Sequence, residues 1–196
     1  MAESLEITDP ILREFLKYAL KLHPVCELPT DLNDDNMSTK QIKEEAQRRE
    51  RAWGNQIIGQ QDNTQWTTKA GEHSVKKVLE LLGQNPRSPE TKDNYRPDWE
   101  CDDYMVEVKT KNYHTCGTAS EKVLGTFIKY RNIPELYGKP LKIIVVAEQE
   151  WTMISGKTPY FGDRVDEKTK QVLDLAKSWG IEYVRFSDLI SPLSYE

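Results

Sequence analysis

The sequence predicts an α/β chain: a mixed β-sheet core flanked by helices, with a helical extension at its N-terminal end. Two strand-like patterns and the helical periodicities around them carry this prediction. Residues 104–111 alternate, with Tyr104, Val106 and Val108 on one face and Met105, Glu107, Lys109 and Lys111 on the other, as in a half-buried strand. Residues 141–147, LKIIVVA, form a continuous apolar run bounded by Lys139-Pro140 and a polar AEQE. A run of that length, rich in β-branched residues, predicts an interior strand buried on both faces.

The elements follow in order. Asp9 with Pro10 makes an N-cap and first-turn pair, leading Ile11, Phe15, Leu16, Ala19 and Leu22 through a first helix. Ser38 with Gln41 opens a second, through Ile42, Ala46, Arg49, Trp53 and Ile57. Gly71, Val75, Val78, Leu79 and Leu82 share one buried stripe of a third helix over 69–82, which stops at Gly83. If the chain then reverses tightly over Asp102-Asp103, antiparallel pairing sets Trp99 opposite Val106 and Asp98 opposite Glu107. A capping box, Thr118 to Glu121, leads Val123, Leu124, Phe127, Ile128 and Arg131 through a helix that stops before Pro134. After the apolar strand, a helix over 168–179 is built on Val172, Leu173, Leu175 and Ala176 with Gly180 as its stop. A strand over 181–186 follows, and Ser187-Asp188 caps a last turn. We read residues 1–196 as a single domain, in which 1–65 are a helical extension packed on a core formed by 66–196.

The hairpin carries the chemistry. Asp98 and Glu107 directly opposite one another repel, and a hard divalent cation that prefers oxygen ligands offsets that repulsion, Mg²⁺ being the natural choice. A cation held by Asp98, Glu107 and the Val108 carbonyl can acidify a water and polarise a phosphoryl oxygen. The Lys109 ammonium, on the same strand face as Glu107, supplies a point charge to the attacking water or the phosphate. The alternative reading is an exposed strand face carrying ordinary solvated charges, in a chain that is 30% charged.

With Pro97-Asp98 followed by Glu107-Val108-Lys109, the chain resembles the PD-(D/E)xK nuclease superfamily, and most closely the type II restriction endonucleases. The stretch GTASEKVLGTFIKYRNIPELYGKPLKIIVVA is similar to the helix and strand that follow the motif in such enzymes. The resemblance covers roughly residues 69–148 and implies a restriction-endonuclease-like core of αβββαβ order. It further implies Mg²⁺-dependent hydrolysis of double-stranded DNA leaving 5′-phosphate ends, and a further glutamate on the preceding helix, which falls on Glu72. A helix-dipole role is the alternative for Glu72.

Composition fits that expectation. The chain has 196 residues, 37% of them hydrophobic, and a net charge of −5, which argues against a protein that coats nucleic acid indiscriminately. Three cysteines without metal spacing and an acidic start without an apolar leader point to the cytoplasm, with no membrane association. Basic residues cluster after Lys109, beside the hairpin. The amide-rich stretch GNQIIGQQDNTQWTTK offers Gln56, Gln60, Gln61, Asn63 and Gln65 for bidentate contacts to adenine edges. Lys111, Asn112 and His114 leave the catalytic strand and are candidates for positioning a groove. A polar loop is the alternative for each. Cutting both strands of a palindrome is simplest for a homodimer. A structure-selective repair or recombination nuclease, an RNA-processing endonuclease and a non-catalytic DNA-binding module remain open from these residues.

Overall fold

The computed structural model of the protein describes residues 7–32, 37–61, 65–115 and 123–193. Asp9 accepts from the Leu12 N–H at 2.8 Å and starts α1 (Pro10–Ala19), with Pro10 in the first turn. The helix ends one turn earlier than the apolar spacing suggests, because Lys21 takes a positive φ of 60° and Leu22 emerges 69% exposed. Ser38 and Gln41 form the reciprocal capping box of α2 (Thr39–Ile57). The third helix, α3 (Trp66–Leu81), buries Ala70, Gly71, Val75, Val78 and Leu79. A Cβ at Gly71 would overlap the Thr110 side chain, so α3 lies directly on the strand that carries the acidic motif.

That strand is β2 (Met105–Lys111), paired antiparallel with β1 (Trp99–Glu100) in the register Trp99 to Val106. The tight turn forms without glycine: neither Asp102 nor Asp103 takes a positive φ. Asp102 is held instead by Asn85 at 2.9 Å and by Arg87 at 3.0 Å. The chain then runs through two short helices, α4 (Thr126–Lys129) and α5 (Ile133–Tyr137), into β3 (Leu141–Ala147). Next come α6 (Glu148–Ser155), α7 (Glu167–Ser178), β4 (Ile181–Arg185) and α8 (Phe186–Ile190). The sheet is four-stranded, order β1-β2-β3-β4, with β2, β3 and β4 mutually parallel.

Helices cover both faces. Val106, Val108, Ile144 and Val146 pack with α1, α3 and α8, whereas Met105, Ile143, Val145 and Tyr183 pack with α4, α5, α6 and α7. The continuous apolar run of β3 follows from this placement between two helical layers. The same layers correct three expectations. First, β2 is not half-buried: Met105 is fully buried and Glu107 only 4% exposed, because the second helical layer closes over the face that alternation assigns to solvent. Second, the helix around 123–131 is interrupted at Gly125 and ends at Lys129, leaving Ile128 51% exposed. Pro134 sits in the first turn of α5, where its missing N–H costs nothing. Third, α7 turns Thr169 and Ala176 inward and leaves Val172 and Leu175 outside. Two adjacent stripes of that helix satisfy the helical period, and the sheet covers only one. The capping box from Thr118 to Glu121 lies outside the described residues. Among the described residues no helix is long and apolar enough to cross a membrane.

Candidate active site

The hairpin register brings Asp98 beside Glu107, one step beyond the last paired residues of β1 and β2. The Asp98 carboxylate takes the place of a ladder partner: its Oδ2 accepts from the Val108 N–H at 2.6 Å. The N–H and C=O of one strand residue point to the same edge. The Val108 carbonyl therefore faces the edge on which Asp98 sits.

Glu107 is held unevenly. Its Oε1 accepts from the Lys109 ammonium and from the Tyr130 hydroxyl, the latter at 2.9 Å, while its buried Oε2 has no hydrogen-bond partner among the described residues. Leaving a buried carboxylate oxygen without a donor is costly. Burial and then the neighbouring Glu107 push the Asp98 carboxyl up from 3.8 to about 7; Glu72 adds to the rise, and the Val108 N–H and Lys109 oppose it. Glu72, from α3, is brought into the same field: burial and then Glu107 raise its pKa, and Lys109 and Lys69 oppose the rise. Its backbone carbonyl also accepts from the Trp99 indole N–H at 3.2 Å, which ties α3 to β1.

Three carboxylates and one lysine thus share one electrostatic site, with more negative charge than Lys109 neutralises. A cation would satisfy the unpartnered Glu107 oxygen and offset the burial and like charge that raise the Asp98 pKa. Among the described residues no three His, Cys, Asp or Glu side chains are grouped to hold an ion by themselves. The groups that could hold one are Asp98, Glu107 and the Val108 carbonyl, a set compatible with Mg²⁺, which keeps several waters and uses few protein ligands.

Gln56, Gln60 and Gln61 line an open groove of about 670 Å³ on the exposed side of α2, together with Gln47, Arg48 and Arg51. Gln65 is exposed at the start of α3, and Asn63 lies outside the described residues. The Lys69 ammonium donates to the Gln60 side chain at 2.9 Å and stands one helical turn before Glu72, so the amide segment adjoins the acidic site. The residues leaving β2 are engaged differently. Lys111 pairs with Glu148 at 3.9 Å, and Asn112 accepts from the Thr67 hydroxyl at 2.6 Å. The His114 ring lies 2.9 Å from the Val25 carbonyl. All three hold the strand exit to neighbouring helices and turns.

Sequence reasoning missed two residues. Tyr130 touches Glu107 from the far end of the α4 segment, and no local pattern marks it. Glu50, inside the charged α2, is fully buried and accepts from the Tyr18 hydroxyl and the Tyr113 N–H, each at 2.7 Å, and from the His114 N–H at 3.1 Å. Its place on the Ala46 and Trp53 side of α2 is the only signal that could have singled it out. No family model, no curated protein and no solved structure matches the chain.

Proposed function

We propose that the protein is a Mg²⁺-dependent, sequence-specific endonuclease of double-stranded DNA, of the restriction type and of PD-(D/E)xK character. The observation that carries this reading is the hairpin register, which sets Asp98 beside Glu107 while Glu107 Oε2 lacks a partner among the described residues. The order around it is compatible with an αβββαβ core: α3, the bridged residue Arg87 beside Glu100, β1, β2, the short helices, then β3.

Asp98, Glu107 and the Val108 carbonyl would hold the cation. When bound, it supplies Lewis acidity toward a phosphoryl oxygen and lowers the pKa of a water. Lys109 carries its charge on the same strand face, where it can orient the attacking water and stabilise the extra charge of the pentacovalent phosphate. Glu72 adds negative charge that favours cation uptake. Base discrimination falls to Gln56, Gln60, Gln61 and Gln65, because phosphate contacts are the same at every base pair. Lys69, between that segment and Glu72, is placed for a phosphate. Each subunit of a homodimer would read one half-site.

Incubation of the purified chain with plasmid and viral DNA in Mg²⁺ tests this reading. Discrete bands, lost in EDTA and reduced about a thousandfold or more in Asp98→Ala, Glu107→Ala and Lys109→Ala, are the expected result. Alanine at Gln60, Gln61 or Gln65 should cost roughly 1–3 kcal/mol of discrimination at one base pair. Cleavage only of branched or flapped DNA would move the assignment to a structure-selective nuclease. Binding without cleavage in any divalent metal would leave a DNA-binding module.

A further inference from the structure

We infer that Tyr130 is a positioning residue for Glu107: its hydroxyl, oriented by Lys129, occupies one carboxylate oxygen and so fixes the other as the atom offered to a divalent cation. The inference rests on the reading of Asp98 and Glu107 as a cation site.

The geometry is closed on every side of the phenol. Tyr130 is 7% exposed, and its hydroxyl lies 2.9 Å from Glu107 Oε1 in a buried hydrogen bond. The Lys129 ammonium donates to that same hydroxyl at 3.1 Å and stands 4.6 Å above the ring centroid. An ammonium has donors only, so the hydroxyl must accept from Lys129, and its single proton is left for Glu107.

The ring is fixed as well. Tyr95 packs against it with centroids 6.2 Å apart and planes at 61°. Tyr95 closes the turn Lys92 to Tyr95, in which each residue's N–H meets the other's carbonyl at 2.8–3.0 Å and both Asp93 and Asn94 take positive φ. Only Arg96 separates that turn from Pro97 and Asp98. Tyr130 therefore bears on Glu107 through its hydroxyl and on the approach to Asp98 through its ring.

A glutamate carboxylate rotates easily about its last torsion. With Tyr130 and Lys109 both on Oε1, rotation is opposed and Oε2 stays the free atom. Without the hydroxyl, Lys109 alone can follow the carboxylate round or take both oxygens, and the site loses its preset orientation.

Calorimetric titration of the full chain with Mn²⁺ tests this directly. Tyr130→Phe keeps the ring and should weaken Mn²⁺ binding about 10- to 100-fold, the usual effect of removing a group that orients a metal ligand. In a Glu107→Gln background the same change should produce no further loss. Lys129→Met alters an exposed side chain, spares the fold, and should weaken binding several-fold by freeing the hydroxyl proton. Wild-type affinity in both Tyr130→Phe and Lys129→Met would overturn the inference while leaving the cation site standing. Additive losses in the double variant would make Tyr130 a packing residue only. No Mn²⁺ uptake by the wild-type chain would remove the cation site and the role of Tyr130 with it.

Discussion

Glu50 and Glu107 are both buried carboxylates, and they are treated in opposite ways. Three donors from two segments meet Glu50: the Tyr18 hydroxyl on α1 and the Tyr113 and His114 N–H groups beyond β2, all converging on α2. Both its oxygens are used. Among the described residues Glu107 has two donors on one oxygen, none on the other, and the carboxylates of Asp98 and Glu72 in its field. A buried charge that serves the fold is satisfied by the fold. One left half-satisfied among like charges is completed by something the chain does not itself provide. On this contrast Glu50 is a clasp between the N-terminal helices and the strand exit, and Glu107 is the carboxylate left open to the proposed cation.

The largest effect expected from the contrast is on stability. Glu50→Ala leaves a buried hydroxyl and two N–H groups without an acceptor and should cost about 3–5 kcal/mol in denaturant unfolding. Glu107→Gln removes charge repulsion and should change stability by no more than about 1 kcal/mol, toward greater stability. Equal losses in the two variants would erase the distinction.

The next effect is on pH dependence. Asp98 has its carboxyl raised from 3.8 to about 7. Between those values the folded chain keeps a proton that the unfolded chain has lost, so stability falls as pH rises through the window and the penalty is absent below it. Relative to Asp98→Asn, the wild-type chain should lose roughly 2–4 kcal/mol between pH 4 and pH 8. Parallel pH curves for the two proteins would mean that Asp98 is an ordinary carboxylate.

A smaller effect separates the two carboxylates by ligand. Mn²⁺ at a hundred times its dissociation constant should stabilise the wild-type chain by about 2.7 kcal/mol. A soluble variant at the clasp, Tyr18→Phe, should gain the same increment, and Glu107→Gln should gain little. An equal increment in Glu107→Gln would place the ion elsewhere.

Local signals made much of this legible in the sequence. The caps at Asp9 and Ser38, the stripe of α3 and the two-faced run of β3 depend on neighbours within a turn or a strand, and the tight turn over Asp102 and Asp103 set the register that joins Asp98 to Glu107. What escaped was decided across the fold. Alternation marks Glu107 as lying opposite Val106 and Val108, but only the layer carrying Tyr130 determines that this face is covered too. Glu50 reads as one more charge in the helix of Glu44, Glu45, Arg48 and Arg49, and its donors come from segments 32, 63 and 64 residues away. Lys111, Asn112 and His114 looked available because their partners on α6, on α3 and before α2 are equally remote in sequence.

The most direct test of the central claim, that Asp98 and Glu107 form a divalent-cation site, is an anomalous difference map from crystals grown with Mn²⁺. One strong peak within ligand distance of Asp98 and Glu107 Oε2, absent from crystals of Glu107→Gln, is the expected result. No peak there would contradict it.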